Sequence, residues 1–295
     1  MTEERFEFGR NWEQFLTTLD DGQIRAATLS LESTLGANGL AGKSFLDVGC
    51  GSGLFSLAAR KLGASVRSFD FDPRSVECAR RLKERYFPYD DHWQIEAGSV
   101  LDGGLLASLG KFDVVYAWGV LHHTGAMRRA WESVASLVSH GGRLCISIYN
   151  DQGYVSQVWL MIKRTYQRLP RWMRPGLVAA VAGGLFARRL TISLAASGLR
   201  LCSLRNPLTP WINWLRESRG RRQRGMHRWY DLIDWVGGYP FEVARPEEVF
   251  NFFRSRGFEL IYLTTQGGGH GCNEFVFRRV EAAGGPTASG GLSSP

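Results

Sequence analysis

Lys43-Ser44-Phe45-Leu46-Asp47-Val48-Gly49-Cys50-Gly51-Ser52-Gly53 sets an apolar run and a carboxylate directly before a turn rich in glycine. Without Cβ atoms such a turn tolerates positive φ and lets a ligand approach the backbone closely. A second apolar run ends in Ser68-Phe69-Asp70-Phe71-Asp72. A carboxylate at the end of that second strand can accept both hydroxyls of a ribose. Together the two signals point to an adenosine-containing ligand.

What the turn lacks narrows the choice. It has no Lys-Ser/Thr pair to hold phosphates and magnesium, and Ser56 stands where a dinucleotide loop carries its third glycine. Asp47 suits an ammonium group, or the orientation of the turn. An adenosine joined to an amino acid, as in S-adenosylmethionine, fits these residues better than a triphosphate or a dinucleotide.

Three further patches carry groups that could act on a second substrate. His122 and His123 close the fourth strand-like run, where an imidazole near neutrality could take a proton from a hydroxyl. Equally, one ring could pack near the cofactor and the other bond to backbone. Met226 to Glu242 gathers His227, Tyr230 and Asp231 among aromatic rings; this suits a pocket wall, or a Trp-anchored loop tying an insertion to the sheet. Gly267 to Asn273 holds His270 in a Gly-rich turn that could simply serve a hairpin. The histidines and acids lack ligand spacing, so no metal is assigned. Cys50 and Cys272 read as small packing residues.

The elements that must position these groups alternate from Phe45 to about Asn150. The strand-like runs are Ser44 to Val48, Ser65 to Phe69, Trp93 to Glu96, Phe112 to Ala117 and Leu144 to Tyr149. Helices are expected near Leu54 to Leu62, over Pro73 to Tyr86, and over Arg128 to Ser139 with Gly141-Gly142 as its stop. That order gives a parallel sheet covered by helices. After Asn150, Val155 to Leu169 and Pro175 to Leu204 read as helical, whereas Asn206 to Gly225 is broken by prolines and arginines. The alternation resumes with a helix from Pro246 to Arg256 and strands Glu259 to Thr264 and Asn273 to Arg279. The chain therefore divides into an N-terminal helical cap (1–40), a ligand-binding α/β domain (41–150 and 241–280), a basic helical insertion (151–240) and a Gly/Ser/Pro tail (281–295) expected to be disordered.

LDVGCGSG, the strand ending at Asp70, FDVVYAWGVLHH and GGRLCISIYN occur in the order and spacing of the motifs of class I S-adenosylmethionine-dependent methyltransferases, and the chain resembles that family over roughly Phe45 to Asn150 plus the final strand pair. The resemblance implies a Rossmann-like, doubly wound, seven-stranded α/β sheet with a helical cap inserted between strands 5 and 6. It implies S-adenosylmethionine as cofactor, with Asp47, Gly49, Cys50, Gly51 and Gly53 along the methionine part and Asp70 on the ribose. Phe71 would lie beside the adenine and Trp118 beside the sulfonium. Where many members carry an acid for the adenine amino group, this chain has Ser99, so recognition there would rest on a hydroxyl and the Val100 amide. Phe6, Phe8 and Trp12 resemble an aromatic cap folded over the cofactor. The absence of an Asn-Pro-Pro-Tyr type signature after the fourth strand argues against base N-methylation.

The net charge is +8, from 36 basic and 28 acidic residues, and it is unevenly placed. Between Leu160 and Tyr230 stand fifteen Lys or Arg and one acid, Glu217, together with Trp172, Trp211, Trp214 and Trp229. This segment could be a solvated cap, meet an anionic membrane surface as a peripheral contact, meet a small anionic acceptor bearing phosphate or carboxylate, or meet nucleic acid, the last being less favoured. The longest apolar run, Leu177 to Ala187, is stopped by Arg188-Arg189, so no membrane span is expected. The five separated cysteines and the start of the chain suggest a reducing, cytoplasmic setting. The expected activity is methyl transfer to a small or lipid-like acceptor, foremost at a hydroxyl oxygen, with nitrogen or carbon also open. An RNA methyltransferase using the basic insertion and a non-catalytic S-adenosylmethionine sensor are the alternatives, and homo-oligomerisation is open.

Overall fold

Asp72 before Pro73, Asp20 three residues before Gln23, and Pro246 two residues before Glu248 are the local signals that start three of the helices. The computed structural model describes residues 6–36, 39–220, 228–267 and 271–280. Two helices, α1 (Phe8–Thr17) and α2 (Asp21–Leu35), precede the sheet. The core then runs β1 (Ser44–Val48), α3 (Leu54–Lys61), β2 (Ser65–Asp70), α4 (Pro73–Tyr86), β3 (Trp93–Ala97), α5 (Gly103–Leu109), β4 (Phe112–Trp118), a short turn of 3-10 helix (Leu121–His123), α6 (Met127–Ser136) and β5 (Val138–Tyr149). Four helices follow, α7 (Tyr154–Arg168), α8 (Arg174–Cys202), α9 (Thr209–Gly220) and α10 (Arg228–Gly237). The chain returns to the sheet through α11 (Pro246–Arg254), β6 (Phe258–Thr264) and β7 (Cys272–Arg279).

The strand order is β3-β2-β1-β4-β5-β7-β6. β1 to β5 pair in parallel and β7 lies antiparallel between β5 and β6. This is the doubly wound, seven-stranded α/β sheet expected, with the helical insertion between its fifth and sixth strands. Apolar side chains fill both faces. Trp131, Phe252, Phe253, Phe275 and Phe277 pack on one side, and Phe15, Leu31, Phe45, Leu57 and Trp93 on the other. Chain order reverses between β1 and β4, so ligands are expected at the carboxyl ends of β1, β2 and β4.

Four local expectations need correction. Gly141-Gly142 do not stop α6, which ends at Ser136; they lie inside a long β5 that shifts register against β4 between Phe112 and Val114. α5, with Asp102 accepting from the amides of Gly104 and Leu105, was not anticipated behind two glycines. Residues 209–220 are helical despite Pro210, because a proline in the first turn removes no hydrogen bond the helix needs. The Trp-rich run 228–237 is a helix as well. The Gly/Ser/Pro tail lies outside the described residues.

α8 also corrects the membrane expectation. Its 29 residues continue through Gly183-Gly184 and Arg188-Arg189, and by length and composition alone it is apolar enough to cross a membrane. A count of uninterrupted apolar residues misses this, since a helix spans both pairs without breaking.

The register shift between β4 and β5 brings backbone close to Gly142, where a Cβ would stand 2.9 Å from the carbonyl oxygens of both Asp113 and Ser139. Backbone atoms on two sides cannot yield as a side chain would. Gly142→Ala is therefore expected to destabilise the fold by about 1–3 kcal/mol in urea denaturation, and wild-type stability would show that the strand relaxes.

Candidate active site

A cavity of about 670 Å³ opens at the carboxyl ends of β1, β2 and β4. That is within the usual range for a small-molecule site. Its floor is the turn after β1. The Gly49 and Cys50 amides both donate to the Phe69 carbonyl, and the Gly51 amide donates to Asp70 Oδ2 at 2.9 Å. Gly51 has φ +55°, and a Cβ on it would lie 2.9 Å from the Trp12 indole. The turn thus fills the gap between the strand ends and α1 without a side chain.

Asp70 is fixed from both sides, because its Oδ1 accepts the Asp72 amide at 2.8 Å. Burial raises its pKa to about 6, against the opposing effect of the Asp72 and Gly51 amides. At neutral pH it is largely ionised. A carboxylate has about four acceptor sites, so two backbone donors leave capacity for hydroxyls, and Asp70 lines the cavity. The neighbouring Asp72 accepts the Arg74 amide through Oδ1 at the start of α4 and the Gly9 amide through Oδ2 at 2.8 Å. The second bond seats α1 over the cavity, where Phe6, Phe8 and Trp12 form part of the wall.

Asp47 stands at the end of a buried polar chain. Trp93 Nε1 donates to Ser68 Oγ at 3.0 Å, Ser68 and Ser56 hydroxyls lie 2.7 Å apart, and Ser56 donates to Asp47 Oδ2 at 2.5 Å. Burial raises the Asp47 pKa to about 7; the Ser56 hydrogen bond opposes this and the charge of Asp70 adds to it. An ammonium group near Asp47 would favour its ionised form.

The residues singled out from sequence fall into distinct places. Asp47, Gly49, Cys50, Gly51, Asp70, Phe71, Ser99, Val100, Trp118 and His123 all line the cavity. Trp118 is stacked on Tyr116 with centroids 5.4 Å apart. Gly53 does not line it. Gly53 begins α3 with φ +80°, and a Cβ there would press on the Ala79 backbone of α4, so it serves helix packing. Burial raises the pKa of Cys50 well above the usual thiol value, consistent with a packing residue rather than a nucleophile.

His122 and His123 separate clearly. His122 is buried behind the wall, its ring centroid 3.8 Å from that of Tyr149, and burial carries its pKa well below the usual value. It does not line the cavity, which corrects its candidacy as a base. His123 does line it, with Nδ1 2.7 Å from the Pro240 carbonyl oxygen. A carbonyl can only accept, so Nδ1 carries the proton and Nε2 keeps its lone pair. Burial, followed by the Lys163 charge, lowers the His123 pKa to about 3. His227 and His270 lie outside the described residues. Tyr230 and Asp231 belong to α10, and their side chains are not described.

Sequence reasoning missed Tyr149, the end of β5. Its ring touches both histidines and lies 5.0 Å from that of Trp235, and both Tyr149 and Trp235 line the cavity. The signal available was its place at a strand's carboxyl end. The same aromatic group surrounds the buried Lys163, whose ammonium donates to the Trp235 carbonyl and lies 4.8 Å from the Phe241 ring centroid.

The model of the methyltransferase-domain family matches residues 22–261. Over 114 residues the chain is 32% identical to a ubiquinone biosynthesis O-methyltransferase of Actinobacillus pleuropneumoniae, covering 39% of this chain and 49% of that protein. Over 107 residues it is 38% identical to a ribosomal protein L11 methyltransferase of Burkholderia ambifaria, covering 36% and 32%. The matches thus span about half, or less, of these relatives' length. The magnesium protoporphyrin IX methyltransferase of Synechocystis, solved with bound SAH, is 15% identical over 88% of this chain and 84% of that one, with a TM-score of 0.48.

Asp70 supplies a test by pH. A carboxylate that accepts ribose hydroxyls does so ionised, so the advantage of the wild type over Asp70→Ala in S-adenosylhomocysteine affinity should be level near pH 8 and shrink as pH drops through about 6, a comparison in which the Asp47 titration near about 7 is common to both proteins. Asp70→Ala should weaken binding on the order of 100-fold. Calorimetry across pH checks both, and an unaltered affinity in the variant would remove Asp70 from the ribose.

Proposed function

The chain belongs to the methyltransferase-domain family; from that premise we propose that it is an S-adenosylmethionine-dependent methyltransferase that methylates a hydroxyl oxygen of a small or lipid-like acceptor. The observation that carries this is His123, neutral, with Nδ1–H committed to the Pro240 carbonyl. Its remaining lone pair, on Nε2, can accept a proton from an acceptor hydroxyl.

When bound, S-adenosylmethionine supplies a methyl group activated on a sulfonium. The protein's part is to hold the acceptor in line, exclude water and receive one proton. Phe8 lies 4.8 Å and Tyr149 5.3 Å from the His123 ring, so an acceptor hydroxyl reaching Nε2 would do so among apolar ring surfaces. These walls suit a planar or apolar acceptor better than a polar chain.

The low pKa of His123 sets when the proton moves. A base with pKa about 3 scarcely deprotonates a phenol, whose own pKa is near 10. The oxygen becomes strongly acidic as its new bond to carbon forms, however, and a weak, correctly placed base then suffices. His123 therefore acts late, accepting the proton as the C–O bond is made.

Two measurements test the proposal. S-adenosylhomocysteine release should appear with phenols, glycosides or lipid-linked hydroxyl compounds; release only with peptides or tRNA would overturn the acceptor class. His123→Ala should lower kcat about 100-fold while S-adenosylhomocysteine affinity stays within about threefold. Unchanged turnover would eliminate His123 as the base.

A further inference from the structure

The outer half of the insertion is built as a hairpin of helices. α9 folds back along α8: the Trp211 indole donates to Ser197 Oγ at 3.0 Å, and the Trp214 ring packs against Phe186. At the tip, Leu199, Leu201, Leu204 and Leu208 are all exposed, Leu204 at 98%. Leu204 also has φ +52°, a left-handed conformation that a leucine adopts only at a cost in strain. The backbone is thus held in a strained turn that presents an apolar side chain to the outside.

Arg200 and Arg205 stand among these leucines. The Arg200 guanidinium donates to the Asn206 carbonyl at 2.9 Å, and the Arg205 amide donates to the Arg200 carbonyl at 2.8 Å, which closes the turn. No Asp or Glu occurs between Asp151 and Glu217, while ten Lys and Arg do. We propose that the α8–α9 tip docks on the surface of an anionic phospholipid bilayer, its leucines entering the interface and its arginines meeting phosphate groups.

Two observations decide against other uses of this face. A transmembrane α8 would place Arg188 and Arg189, the middle of the helix, at the bilayer midplane, where charge is most costly. It would also have to shed α9. A twofold pairing of the tip with a second copy sets the same patch against itself, bringing Arg200 and Arg205 near their own images with no acid in the segment to offset them. An anionic lipid surface satisfies both the exposed leucines and the one-sided charge. This proposal is independent of the acceptor's identity.

The test is co-sedimentation of the full chain with vesicles of phosphatidylcholine alone and of phosphatidylcholine with phosphatidylglycerol. The wild type should pellet with the anionic vesicles at low salt and be released as salt rises. Leu201→Ser/Leu204→Gly removes two exposed leucines and relieves the strained φ. It should fold at least as well, judged by thermal melting, and bind on the order of 100-fold more weakly. A wild type that stays in the supernatant, or a variant that pellets equally, overturns the proposal. So does a wild-type dimer in sedimentation velocity that becomes monomeric in the variant, because the leucines would then belong to a second copy.

Discussion

The carboxyl edge of the sheet is organised around one half-buried carboxylate that two backbone amides hold against desolvation. Asp70 sits at the end of β2 with burial pushing its pKa up to about 6. Two backbone amides, those of Gly51 and Asp72, keep it an acceptor at neutral pH. The first of these bonds also fixes the glycine turn against the second strand, and the turn in turn gives the cavity its floor. Were the carboxylate left without those amides, desolvation alone would favour its neutral form and the turn would lose its anchor. Fold and site are thus joined at a single hydrogen-bonded group.

Much of this arrangement is legible in the residue order. The apolar runs at β1, β2 and β4, the glycine turn and the acid at position 70 are local features, and local features survive into the structure with their boundaries nearly intact. The failures come where distant contacts overrule local signals. Gly141-Gly142 look like a helix stop, but Gly142 is demanded by carbonyls of Asp113 and Ser139 that no nearby pattern announces. Gly53 looks like part of a ligand loop, although its lack of a side chain answers to Ala79 on α4.

The histidine pair shows the same limit within the site. Its place on the carboxyl edge can be read from the fourth strand, but neither the burial of His122 nor the tautomer of His123 can. The latter is set by Pro240, 117 residues further along, and the rings against it come from α1 (Phe8) and the end of β5 (Tyr149). α9 and α10 were hidden for a different reason. Proline and tryptophan resemble loop punctuation unless the first-turn position of Pro210 and the packing of α10 on α7 are known.

Asp72 has a consequence for which exchanges the chain can accept. Its Oδ1 begins α4, its Oδ2 holds α1 in place, and its amide supports Asp70. Asparagine would keep only one acceptor oxygen, so either the helix start or the hold on α1 would be lost. Glutamate would keep both oxygens but carry them a methylene further, into a space where Gly9 already leaves no room for a Cβ. Asp72 lies in the cavity wall itself, yet what makes it hard to replace is its three hydrogen-bond partners, so tolerance to substitution across this edge follows hydrogen-bond valence more closely than distance from the chemistry.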